Sequence, residues 1–102
     1  MSTLHTVNKS PFERNALLSC VDHLGGGDAV LLIEDGVLAA SNGSVVAPLI
    51  HQAMKAGQVY ILGPDLAARG FKPENVIEGV QFVDYRGFVE LATRHERTVA
   101  WL

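Results

Sequence analysis

The stretch Asp28–Asp35, DAVLLIED, decides the fold. From Ala29 to Ile33 it is apolar without interruption. A strand with one wet face alternates apolar and polar residues. An unbroken apolar run has cover on both faces, which is the habit of a parallel sheet. The rest of the chain must therefore supply parallel partners and the helices that cover them.

Upstream, Leu17, Cys20, Val21 and Leu24 fall on one stripe at helical spacing. Ser10 suits the N-cap of that helix, Pro11 its first position and Glu13 a capping box. The pattern continues to about Leu24, and Gly25 is the expected left-handed exit. Before it, LHTV (Leu4–Val7) reads as a first strand. Downstream, GVLAASNGS is a connection with room for a helical turn. In APLIHQAMKAG, Leu49, Ile50, Ala53 and Met54 share one helical face and Gly57 ends it. QVYIL is a third strand, GPDLAARG a short helix closed by Gly70, and VQFVD a fourth strand. Asp84 then caps YRGFVELATRHE, and TVAW is a fifth strand.

Strands alternating with helices predict an α/β fold with right-handed crossovers. The expectation is a single three-layer domain over residues 1–102. It has about five mostly parallel strands and helices on both faces, in a flavodoxin-like or Rossmann-like plan. At 102 residues such a domain buries roughly 65% of the surface its unfolded chain exposes, enough for a core without staples.

Hydrophobic residues make up 48% of the chain and charged residues only 19%, which points to a subunit interface. The net charge is −3, and lysine and arginine form no basic run. Direct nucleic-acid binding, which needs clustered positive charge, is not expected. No apolar stretch reaches the ~20 residues of a membrane span. The start of the chain has no apolar core of a signal peptide. With one cysteine there is no internal disulfide, and a soluble, cytoplasmic protein is expected.

Four features invite a functional reading. The triple glycine Gly25–Gly27 follows a helix and precedes a strand. Phosphate loops have the opposite order, so a plain connection is expected. Glu34, Asp35, Asp65 and Asp84 stand at the carboxyl ends of strands, where open α/β sheets bind ligands. They suit either Mg²⁺ or ordinary caps and turns. His5, His23, His51 and His95 form no close metal-ligand spacing. Cys20 lies one helical turn from His23, a candidate base for the thiol, yet it also sits on the apolar stripe. A packed thiol and a reactive one both remain open.

Several stretches resemble the DsrH/TusB family: LHTVNKSPF, LLIEDGV (31–37), VYILGPDLAARG (59–70), VDYRGFVELA (83–92) and the closing AW. The resemblance implies a DsrEFH-like subunit of a cytoplasmic sulfur-relay, or sulfurtransferase, complex. It implies partners of DsrE/TusD and DsrF/TusC type in a heterohexamer, and a DsrC/TusE-type carrier that receives persulfide sulfur. The main sulfur-carrying cysteine is then expected on the DsrE/TusD-type partner, with this chain accessory or structural. Cys20 becomes a candidate secondary sulfur acceptor. No metal, nucleotide or flavin cofactor is implied. A cysteine at this helix position resembles the branch that serves dissimilatory sulfur oxidation. The alternatives are a TusB-type subunit in tRNA 2-thiouridine synthesis and a free-standing module binding a small ligand or cation.

Overall fold

The computed structural model describes residues 2–12 and 15–102. Five strands form one parallel sheet: β1 Thr3–Val7, β2 Ala29–Leu32, β3 Gln58–Leu62, β4 Gln81–Val83 and β5 Arg97–Trp101. Their order across the sheet is β4-β3-β2-β1-β5. Three successive right-handed steps, β1 to β2 to β3 to β4, place their connections on one face. These are α1 (Ala16–Asp22), the 3₁₀ segment Glu34–Ala40, α2 (Ala47–Ala56) and α3 (Gly63–Ala68). The last connection steps back across the whole sheet and carries α4 (Tyr85–Arg94) over the other face. The reversal beside β1 is the Rossmann habit.

The two faces carry separate cores. Val7, Val30, Leu32, Val59 and Ile61 point to one side and meet Leu17, Cys20, Val21, Ile50, Ala53 and Leu66. Leu4, Ala29 and Leu31 point to the other and meet Leu91 of α4, flanked by Tyr60, Val83 and Phe88. The uninterrupted run of β2 is thereby explained: all four of its residues are buried, alternately against the two helix layers.

The first helix differs from its expectation at both ends. It begins at Ala16, with Asn15 as the residue before it. Ser10 does not cap it. The Ser10 side chain is buried, and its Oγ accepts the N–H of Phe12 at 3.2 Å, a local turn that competes with helix. Glu13 of the expected capping box lies outside the described residues. The helix ends at Asp22 rather than running to Leu24, because the N–H groups of His23 and Leu24 bond back to Cys20 and Val21 in tight final turns. Gly25 is not a left-handed exit: the glycine of this loop with positive φ is Gly27, at 84°. Gly70 does have the exit role, with φ 78°. Strands β2 and β4 are shorter than DAVLLIED and VQFVD, since Asp28 and Asp84 turn to bond backbone N–H groups at their ends.

The triple glycine divides cleanly into parts. A Cβ on Gly26 meets nothing within 4 Å, and its φ is not in the left-handed region. Gly26→Ala is therefore expected to raise stability by about 0.5 kcal/mol through the unfolded chain's lost freedom. Gly27→Ala is expected to cost about 1–2 kcal/mol, the penalty of a Cβ in left-handed backbone. Urea midpoints of the two variants check both signs.

Candidate functional site

Cys20 faces the core from the last turn of α1 and is fully buried. Burial pushes its thiol up to about 12, and the nearby Asp28 carboxylate pushes in the same direction. A thiol held there is almost wholly protonated at neutral pH, and protonated sulfur is a poor nucleophile. His23 does not act on it. That imidazole turns back along its own helix, where Nδ1 donates to the Ser19 carbonyl at 2.7 Å. Cys20 and His23 are independent residues of one turn, with no hydrogen bond between them.

The histidine that matters is His5, which is 5% exposed in the middle of β1. Its Nε2 donates to Asp28 Oδ2 at 2.9 Å, and its Nδ1 accepts the indole N–H of Trp101 at 3.0 Å. The tautomer follows from chemistry. Indole nitrogen only donates, so Nδ1 must be bare and the proton must sit on Nε2. The indole also stacks on His5, with centroids 6.1 Å apart, and tilts against His23 at 5.4 Å.

Asp28 anchors this line of contacts. Its Oδ1 accepts the Thr3 N–H at 3.0 Å, and its Oδ2 accepts the Gly25 N–H at 3.0 Å besides His5. Burial opposes ionisation of this carboxyl, but the bonds from Gly25, His5 and Thr3 outweigh it and hold the group below the ordinary aspartate range. One carboxylate thus ties the start of β1, the loop after α1 and the buried imidazole together. In the sequence Asp28 is only the edge of an apolar run. Its pairing with His5 across twenty-three positions leaves no local mark in the sequence.

Three of the four carboxylates at the other end of the strands are engaged by hydrogen bonds. Asp65 Oδ2 accepts the Glu34 N–H at 2.6 Å, and Arg69 Nε donates to Asp35 at 2.9 Å. Asp84 caps α4 by accepting the Gly87 N–H at 2.8 Å. Glu34 stands at φ 49°, a left-handed conformation held in place by the Asp65 bond. Asp65 and Asp84 thus serve a turn and a cap, Asp35 an ion pair, and Glu34 takes part through its backbone N–H. Among the described residues no group of three or more histidine, cysteine or acidic side chains is placed to hold a metal ion. His51 is exposed on α2, and His95 donates from Nδ1 to the Leu91 carbonyl at 2.7 Å.

Comparison with solved structures defines the class first. The chain superposes on the ychN protein from E. coli with a TM-score of 0.82 at 14% identity, covering 98% of this chain and 99% of that one. It superposes on protein Tm0979 from Thermotoga maritima with a TM-score of 0.65 at 23% identity, covering 92% and 94%. These likenesses place the fold among small parallel α/β proteins. The family model for DsrH like protein matches residues 9–98, and the chain belongs to that family, one of sulfur-relay complex subunits. Curated relatives called protein TusB agree along nearly the full length. The one from Pectobacterium parmentieri is 38% identical over 101 residues, covering 96% of this chain and 99% of the relative. The Erwinia tasmaniensis protein is 40% identical over 98 residues and the Escherichia coli K12 protein 36% over 100, with the same coverage. No helix among the described residues is long and apolar enough to cross a membrane.

Proposed function

We propose that this chain is an accessory subunit of a cytoplasmic sulfur-relay complex, built with DsrE/TusD-type and DsrF/TusC-type partners as a heterohexamer. The observation that carries the reading is the family match across residues 9–98 together with full-length relatives named TusB. The complex moves persulfide sulfur to a DsrC/TusE-type carrier. An attacking thiolate bonds to the outer sulfur of the persulfide, the S–S bond breaks, and the donor leaves as thiolate. The work of this subunit is to shape and orient the assembly. Exposed Tyr85 and Val89, one turn apart on α4, give it apolar surface for partner contact.

The TusB relatives favour tRNA 2-thiouridine synthesis as the destination of the sulfur. Cys20 favours the second destination, dissimilatory sulfur oxidation, because it occupies the helix position that resembles that branch. Expression in cells lacking their own TusB separates the two. Restored 2-thiouridine is expected for the first. A stable hetero-complex without restored thiouridine assigns the second, and failure to form any hetero-complex overturns the relay reading.

Cys20 is the candidate secondary acceptor within this scheme. Buried and protonated at rest, it takes sulfur only when the structure around it opens. Incubation of the assembled complex with a persulfide donor, followed by mass spectrometry, is expected to show one added sulfur on Cys20 at a rate below that of the partner cysteine. No gain of mass on Cys20 leaves it as core packing.

A further inference from the structure

We infer that Trp101 is a latch on the Cys20 end of α1: held through His5 by Asp28, its indole closes the end of edge strand β5 onto the core that contains the thiol. Release of that strand end is the route by which Cys20 meets solvent. The inference deepens the secondary-acceptor reading by naming what controls access to the sulfur.

Three observations converge on it. First, β5 pairs with a single neighbour, β1, and most of the strand faces water: Arg97, Thr98 and Ala100 are exposed. Edge strands with one partner open more readily than central ones. Second, the end of β5 is fastened by a directed line of bonds. Trp101 Nε1 donates to His5 Nδ1 at 3.0 Å, and His5 Nε2 donates to Asp28 Oδ2 at 2.9 Å. Asp28 is itself fixed by the Thr3 and Gly25 amides, so the fastening reaches the loop that follows α1. Third, the indole lies against the last turn of α1. It tilts on His23 at 5.4 Å, three residues beyond Cys20, and packs on the core cluster to which Cys20 belongs. With the latch shut, Cys20 is 0% exposed.

Among the described residues, the titratable groups tied to the latch by a bond or a ring contact are His5, Asp28 and His23. Arg97 Nε donates to Thr3 Oγ1 at 3.1 Å and keeps the start of β5 on β1 while its far end lifts. The latch is thus a hinge at Arg97 and a catch at Trp101. Trp101→Phe keeps an aromatic ring but removes the indole N–H, the donor to His5. A net hydrogen bond of this kind shifts an opening equilibrium about five- to tenfold.

The test is the rate at which N-ethylmaleimide alkylates Cys20 in the full chain without denaturant and in low urea. Trp101→Phe is expected to speed labelling about five- to tenfold, with little dependence on urea, as a local opening requires. Leu91→Ala, in the core on the opposite face of the sheet, is expected to lower the unfolding midpoint and leave native labelling unchanged. The latch is overturned if Trp101→Phe labels at the parent rate. It is equally overturned if labelling of either variant simply follows global stability, with the full urea slope of unfolding. The readout involves neither partners nor sulfur donors, so a negative result is distinct from failure of the relay assay above.

Discussion

Gly36→Ala is expected to cost about 3 kcal/mol or more, at the upper end of overpacking penalties. An ideal Cβ at this position lies 2.1 Å from the Val7 carbonyl oxygen and 2.9 Å from its carbon. Those are backbone atoms and have no rotamer to escape into. The same oxygen accepts the Ile33 N–H at 3.0 Å, so pushing it away also loosens the junction of β1 and β2. Domains of this size have total stabilities of about 5–15 kcal/mol. The variant therefore gives up between about a fifth and three fifths of its margin. Urea titration should show a lower midpoint with an unchanged slope, and a midpoint within error of the parent would refute the close approach. Gly26→Ala in the same assay separates this steric effect from any general cost of replacing glycine.

Asp28→Asn is the second large effect, expected to cost about 3 kcal/mol at pH 7, since hydrogen bonds to a charged group are individually worth about 1.5–3 kcal/mol. The carboxylate accepts three bonds from Thr3, Gly25 and His5. An amide offers one oxygen, and its NH₂ confronts donors on the other side. The pH dependence has a definite sign. The folded carboxyl is held below its ordinary range. Its stabilisation is therefore fully present above the unfolded aspartate value near ~3.9 and disappears as pH falls through the lower folded value. The gap between parent and variant should be flat from about pH 7 to pH 5 and narrow below about pH 4. A gap that instead widens on acidification would show that the carboxylate is not the stabilising form.

What the sequence disclosed and what it withheld divide along one physical line. Local chemistry was readable. Asp84 caps α4, Gly70 exits α3 and the continuous run of β2 announced cover on both faces, because each depends on neighbours a few positions away. The start of α1 departs from signals that are also local: Ser10 and Pro11 suit a cap, but they suit a turn equally well, and the turn prevails. The site was harder. Cys20 could be placed on an apolar stripe, while its distance from water depends on β5, nearly eighty residues later. His23 is the near neighbour of Cys20 in sequence, yet the buried imidazole is His5. Its partners, Asp28 and Trp101, stand twenty-three and ninety-six positions away. No periodicity records such a line of contacts.

The first and fifth strands lie side by side although ninety-four positions separate Thr3 from Arg97. Bringing them together closes a very long loop, and that entropy must be met before the pairing gives anything back. The order of folding follows. Strands one to four each pair with a neighbour in chain order, whereas β5 pairs with the most distant strand, so its docking is expected last. In the interval β1 presents a bare row of amides and carbonyls, a template on which a stray strand from another molecule can settle.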